Sequence, residues 1–228
     1  MEEPKFRHEL KHMVSQSDAI ALRQRLRAVA SPDTYAGGDG RYLVRSLYFD
    51  NIQDKALREK IDGVNRREKF RIRCYNYQPG PIKVEKKSKV AGLCAKESAL
   101  ITRGQCEALL SGDTEWMLEC GSPLLVELYA KMKYQQLRPK TVVDYTREAF
   151  VYAPGNVRVT LDSGIMTGIH STDFFNPRLP TLPAGTQGAP ILEVKFDEFL
   201  PSVIAGMVQM KHREPCAFSK YAVCRIYG

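Results

Sequence analysis

Basic side chains occupy alternate positions in the stretch 67–88, which the types and spacing of its residues mark as a candidate site. The alternating ionic residues are Arg67, Lys69, Arg71, Arg73, Lys83, Glu85 and Lys87. Because side chains on a strand point to opposite faces with period two, this spacing predicts a hairpin with a turn at 77–81, one apolar face and one basic face. Arginine binds phosphate oxygens in bidentate fashion and lysine binds them as a point charge. The basic face would suit a phosphate-bearing ligand, but for one such hairpin a charged face turned to the solvent is the more common arrangement, so the question is whether other strands repeat the pattern.

The same alternation recurs in several other segments of the chain. The basic members of the whole set are Arg7, Lys11, Arg71, Arg73, Lys83, Lys87, Arg147, Arg158 and Lys195. The acidic members are Glu9, Glu85, Asp162 and Glu193. Strands of this kind, flanked by helices, favour an α+β fold with a closed antiparallel sheet and helices packed outside. Periodicity alone leaves open whether the ionic faces line a lumen or face the solvent.

Electrostatics restricts what a basic lumen could contain. Two like charges about 4 Å apart repel by about 4 kcal/mol at an effective dielectric constant near 20. A crowded basic lumen is therefore unstable unless water or a polyanion fills it, and a phosphate chain suits such a lumen best. Carboxylates among the cations could hold a divalent ion that bridges phosphate oxygens.

Periodicity and capping residues predict the elements that must position these side chains. Besides the hairpin, strands are predicted over 4–14, 41–50, 141–152, 157–165 and 191–197, with a further short strand carrying Lys96 within 91–101. Helices are predicted over 17–29, capped by Ser17, and over 51–61, 102–111, 123–136, 201–210 and 218–226. Residues 166–190, rich in proline and glycine, are predicted to form a long mobile loop. Nothing in the sequence forces a domain split, so residues 1–228 are expected to form a single domain.

Composition and charge exclude several classes of protein. The 228 residues are 43% hydrophobic and 26% charged, and the net charge of +8 suits an anionic partner. The N-terminus lacks the apolar segment of a signal peptide and no apolar run is long enough to cross a bilayer, so we expect a cytoplasmic protein without a membrane segment. Six cysteines and four histidines show no zinc-binding spacing. No motif of RNA-binding sheets or helix-turn-helix proteins is present, so we expect no nucleic acid partner.

Eight segments together resemble a known family. In order along the chain they are RHELKHMV, SLYFDN, KFRIRCY, IKVEKKSK, LRPKTVVDYTREAF, VRVTLDSGI, ILEVKFD and FSKY. They resemble the VTC domain, the polyphosphate polymerase domain of the vacuolar transporter chaperone complex and its bacterial relatives. That domain is one of the triphosphate tunnel metalloenzymes, as are the CYTH phosphatases and cyclases. The resemblance implies a closed tunnel of eight antiparallel strands, ATP or another triphosphate bound with Mn²⁺ or Mg²⁺, and transfer of the γ-phosphate to polyphosphate.

The resemblance also implies roles for particular residues. The expected catalytic, phosphate-binding set is Lys11, Arg71, Arg73, Lys87, Arg147, Arg158 and Lys220. Further substrate contacts are expected from Arg7, Lys83, Lys96 and Lys195. The expected metal ligands are Glu193, Glu9 and Glu85. The first strand motif reads Glu-x-Glu-x-Lys in the wider superfamily but begins with Arg7 in this chain, a departure that resembles VTC domains more than CYTH hydrolases.

Alternatives for the function and for single residues remain open at this point. The protein could be a triphosphatase or cyclase of the same fold, or a module that binds polyphosphate or nucleotide without catalysis. Glu85 could pair with a neighbouring cation and never contact metal. Asp162 could orient Arg158, and Tyr48 and Tyr145 are expected in the core. Delivery of a product across a membrane would require a partner protein.

Overall fold

The structure, a computed structural model, describes residues 5–78, 80–185, 188–210, 214–215 and 217–226. Its strands are β1 (His8–Met13), β2 (Ser31–Pro32), β3 (Arg41–Asp50), β4 (Arg67–Tyr75), β5 (Ile82–Val90), β6 (Leu93–Ile101), β7 (Arg138–Tyr152), β8 (Val157–Thr167), β9 (Leu182–Pro183), β10 (Ile191–Phe196) and β11 (Glu214–Pro215). Its helices are α1 (Gln16–Arg27), α2 (Lys55–Ile61), α3 (Arg103–Ser111), α4 (Trp116–Glu119), α5 (Pro123–Tyr134), α6 (Ser202–Met207) and α7 (Lys220–Ile226), with a 3-10 turn at Pro154–Asn156. The predicted α+β class is confirmed.

Eight strands of six or more residues form the body of one antiparallel sheet. Their order is β1, β10, β8, β7, β3, β4, β5 and β6, and β11 adds to the outer edge of β1. The short strands β2 and β9 pair with β7 and β8. The sheet curls into a half-barrel, so that one face is concave and the other convex. This arrangement decides the question that periodicity left open, because the ionic faces of the strands lie on the concave side.

The expected closed tunnel is observed only in part, because no continuous ladder joins the first strand to the last. At one end of the seam, Arg7 and Cys94 exchange backbone hydrogen bonds of 2.9 and 3.1 Å. At the other end, His12 and Met13 pair with β11 instead of β6. The β1 strand has only 6 residues, and its free edge is shared between two neighbours. The described strands therefore leave a gap in the seam beyond the Arg7–Cys94 bridge.

Apolar side chains on the convex face hold the helices outside the sheet. Fully buried residues such as Ile72 and Val84 pack against Leu128 of α5 in a core that also includes α3 and α4. A second core joins β7, β8 and β10 to α1 and α6 through residues such as Leu22 and Val159. Burial of each such side chain contributes about 1.5–3 kcal/mol to the stability of the fold. These cores fix the period-two alternation, since the neighbouring positions on each strand must then point to the concave face.

Helix α7 packs on the concave side and covers one end of it. Its Tyr221 side chain is buried with Val143, Ile165 and Ile191, and the Tyr221 hydroxyl donates a hydrogen bond of 2.7 Å to Asp50. Because that cluster fills one end of the concave face, the space that remains lies between α7 and the opposite end of the sheet.

Most predicted elements are confirmed, and the differences have local causes. Helix α1 is capped by Ser15, whose hydroxyl accepts from the backbone of Asp18 at 3.0 Å, and not by Ser17 as expected. Strand β7 begins at Arg138 and continues through Pro139, which lies beside a register shift in its pairing with β3.

No helix in the described ranges is long and apolar enough to span a membrane.

The segment predicted as a long mobile loop is partly anchored. Strand β8 extends to Thr167, and β9 pairs with it later in the segment. The side chain of Phe174 is 1% exposed, and the buried Arg45 guanidinium donates to its carbonyl oxygen at 3.2 Å. These contacts oppose the predicted mobility. Residues 186–187 lie outside the described part of this segment.

Candidate functional site

The concave face encloses a cavity of about 300 Å³. Every predicted site residue except Lys83 lines it. The lining members of the predicted set are Arg7, Glu9, Lys11, Arg71, Arg73, Glu85, Lys87, Lys96, Arg147, Arg158, Glu193, Lys195 and Lys220. These residues come from distant parts of the chain, and the curled sheet brings them together. Their roles in binding or chemistry remain predictions.

Strands β4 and β5 supply an arginine pair with one shared counter-ion. Arg71 stands directly opposite Glu85 in the ladder, and its Nη2 lies 2.7 Å from Glu85 Oε2. Arg73 Nη1 lies 3.4 Å from the same oxygen. Burial alone would raise the pKa of the Glu85 carboxyl, but Arg73 and Arg71 outweigh burial and hold that pKa well below its usual range. Glu85 is thus an ionised counter-ion that lies between the two guanidinium groups of Arg71 and Arg73.

Strands β7 and β8 supply a second charged group beside helix α7. Arg147 binds Asp162 with two hydrogen bonds of 2.6 and 2.7 Å, and Lys220 Nζ lies 2.6 Å from the same carboxylate. Asp162 is 0% exposed. Burial alone would raise its pKa, but Arg147 and Lys220 lower it to about 2. This group carries one net positive charge into the cavity.

Tyr145 lies between the two arginine groups. Its position coincides with a register shift in the β7–β8 ladder between Asp144 and Thr146, a bulge of the kind that re-aims a side chain. Arg73 donates to the Tyr145 hydroxyl at 3.2 Å. Burial would raise the pKa of this phenol, but Arg147 and Arg73 outweigh it and lower the pKa. Tyr145 thus belongs to the predicted core and also lines the cavity.

Strands β1 and β10 bring two carboxylates together on the concave face. In their ladder Glu9 pairs with Lys195 and Lys11 pairs with Glu193, so the two glutamates are diagonal neighbours. Lys11 Nζ lies 3.1 Å from Glu9, and Lys195 Nζ lies 3.0 Å from Glu193. Burial and the neighbouring Glu193 would raise the pKa of Glu9, but Lys11, Lys87 and Lys195 lower it to about 2. Burial would also raise the pKa of Glu193, but Lys195 and Lys11 hold that pKa well below its usual range, so both carboxyl groups are ionised near neutral pH.

The three glutamates expected to bind metal do not form one cluster. Within the described residues, no group of three or more His, Cys, Asp and Glu side chains is arranged to hold a metal ion. Glu85 belongs to the arginine pair, whereas Glu9 and Glu193 share the opposite wall of the cavity. The alternative that Glu85 pairs with cations therefore describes its observed contacts.

Two further predicted cations, Arg7 and Arg158, lie toward the end of the cavity that α7 leaves open. Arg7 Nε lies 2.7 Å from Asp197. Arg158 binds Asp33 and also donates to the Tyr42 hydroxyl at 3.0 Å. The expectation that Asp162 orients Arg158 is wrong, because Arg147 and Lys220 occupy that carboxylate.

Lys83 lies outside the cavity lining. Its Nζ donates to the Tyr35 hydroxyl at 3.1 Å, and the Tyr35 ring stacks on Tyr75 with the ring centroids 4.3 Å apart. The ammonium group is 5.4 Å from the centroid of the Tyr35 ring. Of the predicted residues, Lys83 is therefore the one that the curled sheet does not bring to the lining.

Sequence reasoning missed several residues that line the cavity. Lys69 shares the face of Arg71 and Arg73 by the period-two rule, and this signal was available in the sequence. Tyr48 accepts a hydrogen bond of 2.9 Å from Arg71, but its surroundings in the sequence resemble those of any core tyrosine. Ser219 precedes α7 and lies in the matched segment FSKY, from which only Lys220 was selected as a site residue.

Solved structures with the same fold include proteins of distant sequence. A candidate adenylyl cyclase from Hippeastrum with a dominant triphosphatase activity superposes with a TM-score of 0.59 at 16% identity, over 97% of this chain and 96% of that one. A candidate adenylate cyclase from Bacillus halodurans gives 0.51 at 14% identity, over 89% and 86%. A Pyrococcus horikoshii protein gives 0.51 at 10% identity, over 95% and 98%. At these identities the likeness concerns the fold.

Comparison with sequence families gives a more specific result. No curated protein matches the chain at a significant level. The family model of the VTC domain matches residues 6–226, which includes every strand and helix described above. The chain therefore belongs to the VTC domain family.

Proposed function

We propose that this protein is a single-domain phosphotransferase that transfers the terminal phosphate of ATP, or of another triphosphate, to a polyphosphate chain inside the cavity. The observation that carries the proposal is the excess of Lys and Arg over Glu side chains in one enclosed space. Membership of the VTC domain family supports the same activity.

The charge balance of the cavity supports an anionic ligand. Most of its cations are held by only three glutamates and Asp162. Cations that share a counter-ion repel one another, and a linear polyanion would offset this repulsion along the whole cavity. For phosphoryl transfer, the protein is required chiefly to position the phosphates and to neutralise the charge that develops on them. We assign this role to Arg71, Arg73 and Arg147, because Arg73 and Arg147 are buried, Arg71 is partly buried, and all three line the cavity beside their counter-ions.

Further phosphate contacts are assigned by position. Lys11 and Lys87 contact Glu9 beside the seam, and Lys220 reaches the cavity from the start of α7. Arg158 lies toward the open end with Asp33. Donors at both ends of the cavity suit an elongated anion more than a single phosphate.

The donor set fits a divalent ion of the Mg²⁺ or Mn²⁺ type at Glu9 and Glu193. Such ions are commonly held by one or two carboxylates plus the substrate phosphates, so a cluster of three protein ligands is not required. Both carboxyls have lowered pKa values and are ionised. When bound, the ion would neutralise charge on the phosphate oxygens. Glu85 is assigned instead as the counter-ion of the arginine pair, because Arg71 and Arg73 share its Oε2 and Lys96 lies 3.5 Å from its Oε1.

Hydrolysis is the second candidate function. The Hippeastrum relative has a dominant triphosphatase activity, and the same cavity would serve hydrolysis if water replaced the phosphate acceptor. Binding without turnover is the third candidate. The three differ in product: a phosphate polymer, orthophosphate, or neither.

The test is incubation of the purified protein with ATP and Mn²⁺, followed by gel analysis for long-chain polyphosphate. We expect polymer from the wild type and none from Glu193→Gln, which should retain its fold. Orthophosphate released from tripolyphosphate without chain growth would favour the hydrolase. Tight binding of tripolyphosphate without any product would leave only the binding module.

A further inference from the structure

Lys69 lies where the main cavity meets a second, smaller one. The second cavity measures about 120 Å³ and lies beside the gap in the seam, between α2 and the segment that precedes α7. Residues common to both cavities are Glu9, Lys11, Lys69, Lys87, Cys94 and Ser219. The smaller cavity also has a basic lining, which includes Lys60, Arg67 and Lys89. A phosphate group at Lys69 would thus stand at the junction of two basic spaces.

The sheet places three lysines in one cross-strand row at this junction. Lys69 stands opposite Lys87 in the β4–β5 ladder, and Lys87 stands opposite Lys96 in the β5–β6 ladder. Like charges directly opposite one another destabilise a sheet. The next row differs, because there Arg71 faces Glu85, and a carboxylate separates the cations.

Two of the three lysines form a salt bridge with a described carboxylate, and Lys69 does not. Lys87 Nζ lies 2.6 Å from Glu9, and Lys96 Nζ lies 3.5 Å from Glu85. The Lys69 ammonium group donates to Ser219 Oγ at 3.3 Å and lies 5.7 Å from the centroid of the Tyr48 ring. No carboxylate whose side chain is described forms a salt bridge with it. A hydroxyl and an aromatic ring leave its positive charge largely uncompensated.

This placement has a free-energy cost in the protein without ligand. Loss of solvation in the cavity lowers the pKa of Lys69, and the charges of Lys87, Lys11 and Arg71 lower it further, by more than the Glu9 carboxylate raises it. A neutral side chain at this position would stabilise the fold better than the ammonium group does. The cost is explained if an anion binds there in the working state.

We propose that Lys69, Lys87 and Ser219 form a phosphate subsite at the junction of the two cavities, separate from the Arg71, Arg73 and Arg147 set. Its ligand is a terminal phosphate group of an inorganic phosphate chain. The two lysines supply the charge, and the hydroxyl of Ser219 supplies a neutral donor. The inference rests on the proposed function, since it assigns one more phosphate position to the same ligand.

Binding of inorganic tripolyphosphate, measured by isothermal titration calorimetry at low ionic strength, tests the subsite. Lys69→Met should weaken binding by at least tenfold, whereas Lys69→Arg should stay within about threefold of the wild type. The matched control is Lys86→Met, on the opposite face of β5. Lys86 Nζ lies 2.7 Å from Glu127 on the outside of the sheet, so its replacement should leave the affinity unchanged.

Thermal melting of the ligand-free proteins provides a second readout that separates binding from structure. Because Lys69 carries an uncompensated charge, Lys69→Met should melt at the wild-type temperature or above it. Lys86→Met should melt below the wild type, because it breaks an ion-pair network that includes Glu68, Glu97 and Glu127.

The results distinguish failure of the subsite from failure of the proposed function. Equal tripolyphosphate affinity in the wild type and Lys69→Met overturns the subsite and leaves the function standing. A clear drop in melting temperature for Lys69→Met also overturns it, because Lys69 would then be structural. A wild type that shows no saturable binding overturns the proposed function, and the subsite falls with it.

Discussion

Replacement of Asp162 by asparagine should destabilise the ligand-free protein strongly. The carboxylate is completely buried and is the counter-ion of Arg147, through two hydrogen bonds, and of Lys220, at 2.6 Å. Removing one partner of a buried ion pair costs about 3–5 kcal/mol, because the remaining charge stays buried without compensation. Glu193 lies 3.9 Å from Arg147 and offsets part of the loss, so we expect about 3 kcal/mol. For a domain of this size that corresponds to a fall in melting temperature of about 6–12 °C.

Urea unfolding and thermal melting measure this effect, with Asp113→Asn as the control. Asp113 is exposed, and its replacement should change the free energy of unfolding by less than about 0.5 kcal/mol. Saturating tripolyphosphate should restore much of the stability of Asp162→Asn, because the ligand would supply the missing negative charge to Arg147 and Lys220. A loss below about 1 kcal/mol would refute the reasoning, since a carboxylate between two buried cations could not then be a strong determinant of the fold.

Three further predictions follow from the carboxylates and the charge of the cavity. Glu193→Gln should weaken Mn²⁺ binding, measured by electron paramagnetic resonance, by at least tenfold, whereas Glu85→Gln should leave it unchanged; equal losses would contradict the assignment of Glu85 as a counter-ion. Glu9 and Asp162 have pKa values lowered to about 2, so their contribution to stability is complete above about pH 5 and is lost as the pH falls from about 4 toward 2. Urea unfolding at a series of pH values checks this, and a constant free energy of unfolding down to pH 2 would contradict it. Raising NaCl from about 0.05 to 0.5 M should weaken tripolyphosphate binding at least tenfold in calorimetry, because screening reduces charge interactions; an unchanged affinity would argue against a charge-based site.

Period-two alternation predicted which side chains share a face, because the apolar cores on the convex side leave the ionic positions no other direction. Arg71 and Arg73 on one strand, and Glu193 on another, were identified in this way and by resemblance. Alternation could not predict that these faces are concave, since an ionic exterior gives the same pattern. Curvature depends on the pairing order of the strands, which is a long-range property.

Partners contributed by irregular segments escaped prediction for the same reason. Asp33 follows the short strand β2 and binds Arg158, yet these residues are 125 positions apart. Nothing local to either residue indicates the contact. The closed tunnel was expected from the pattern of strands and from resemblance, whereas the short β1 strand pairs with β11 and only Arg7, just before it, bridges to β6.

Lys69 was a different kind of miss. It belonged to the alternating pattern and is the first residue of the matched segment KFRIRCY, but no role was assigned to it there, so it was not selected as a site residue. Its importance became visible only when the ladders showed that Lys87 faces it and that no described carboxylate does.

A crystal structure with bound tripolyphosphate tests the central claim most directly. We predict phosphate density inside the concave cavity, in contact with Arg71, Arg73 and Arg147. Density confined to the outer surface, for example beside Lys86 and Lys131, with an empty cavity, would contradict the account.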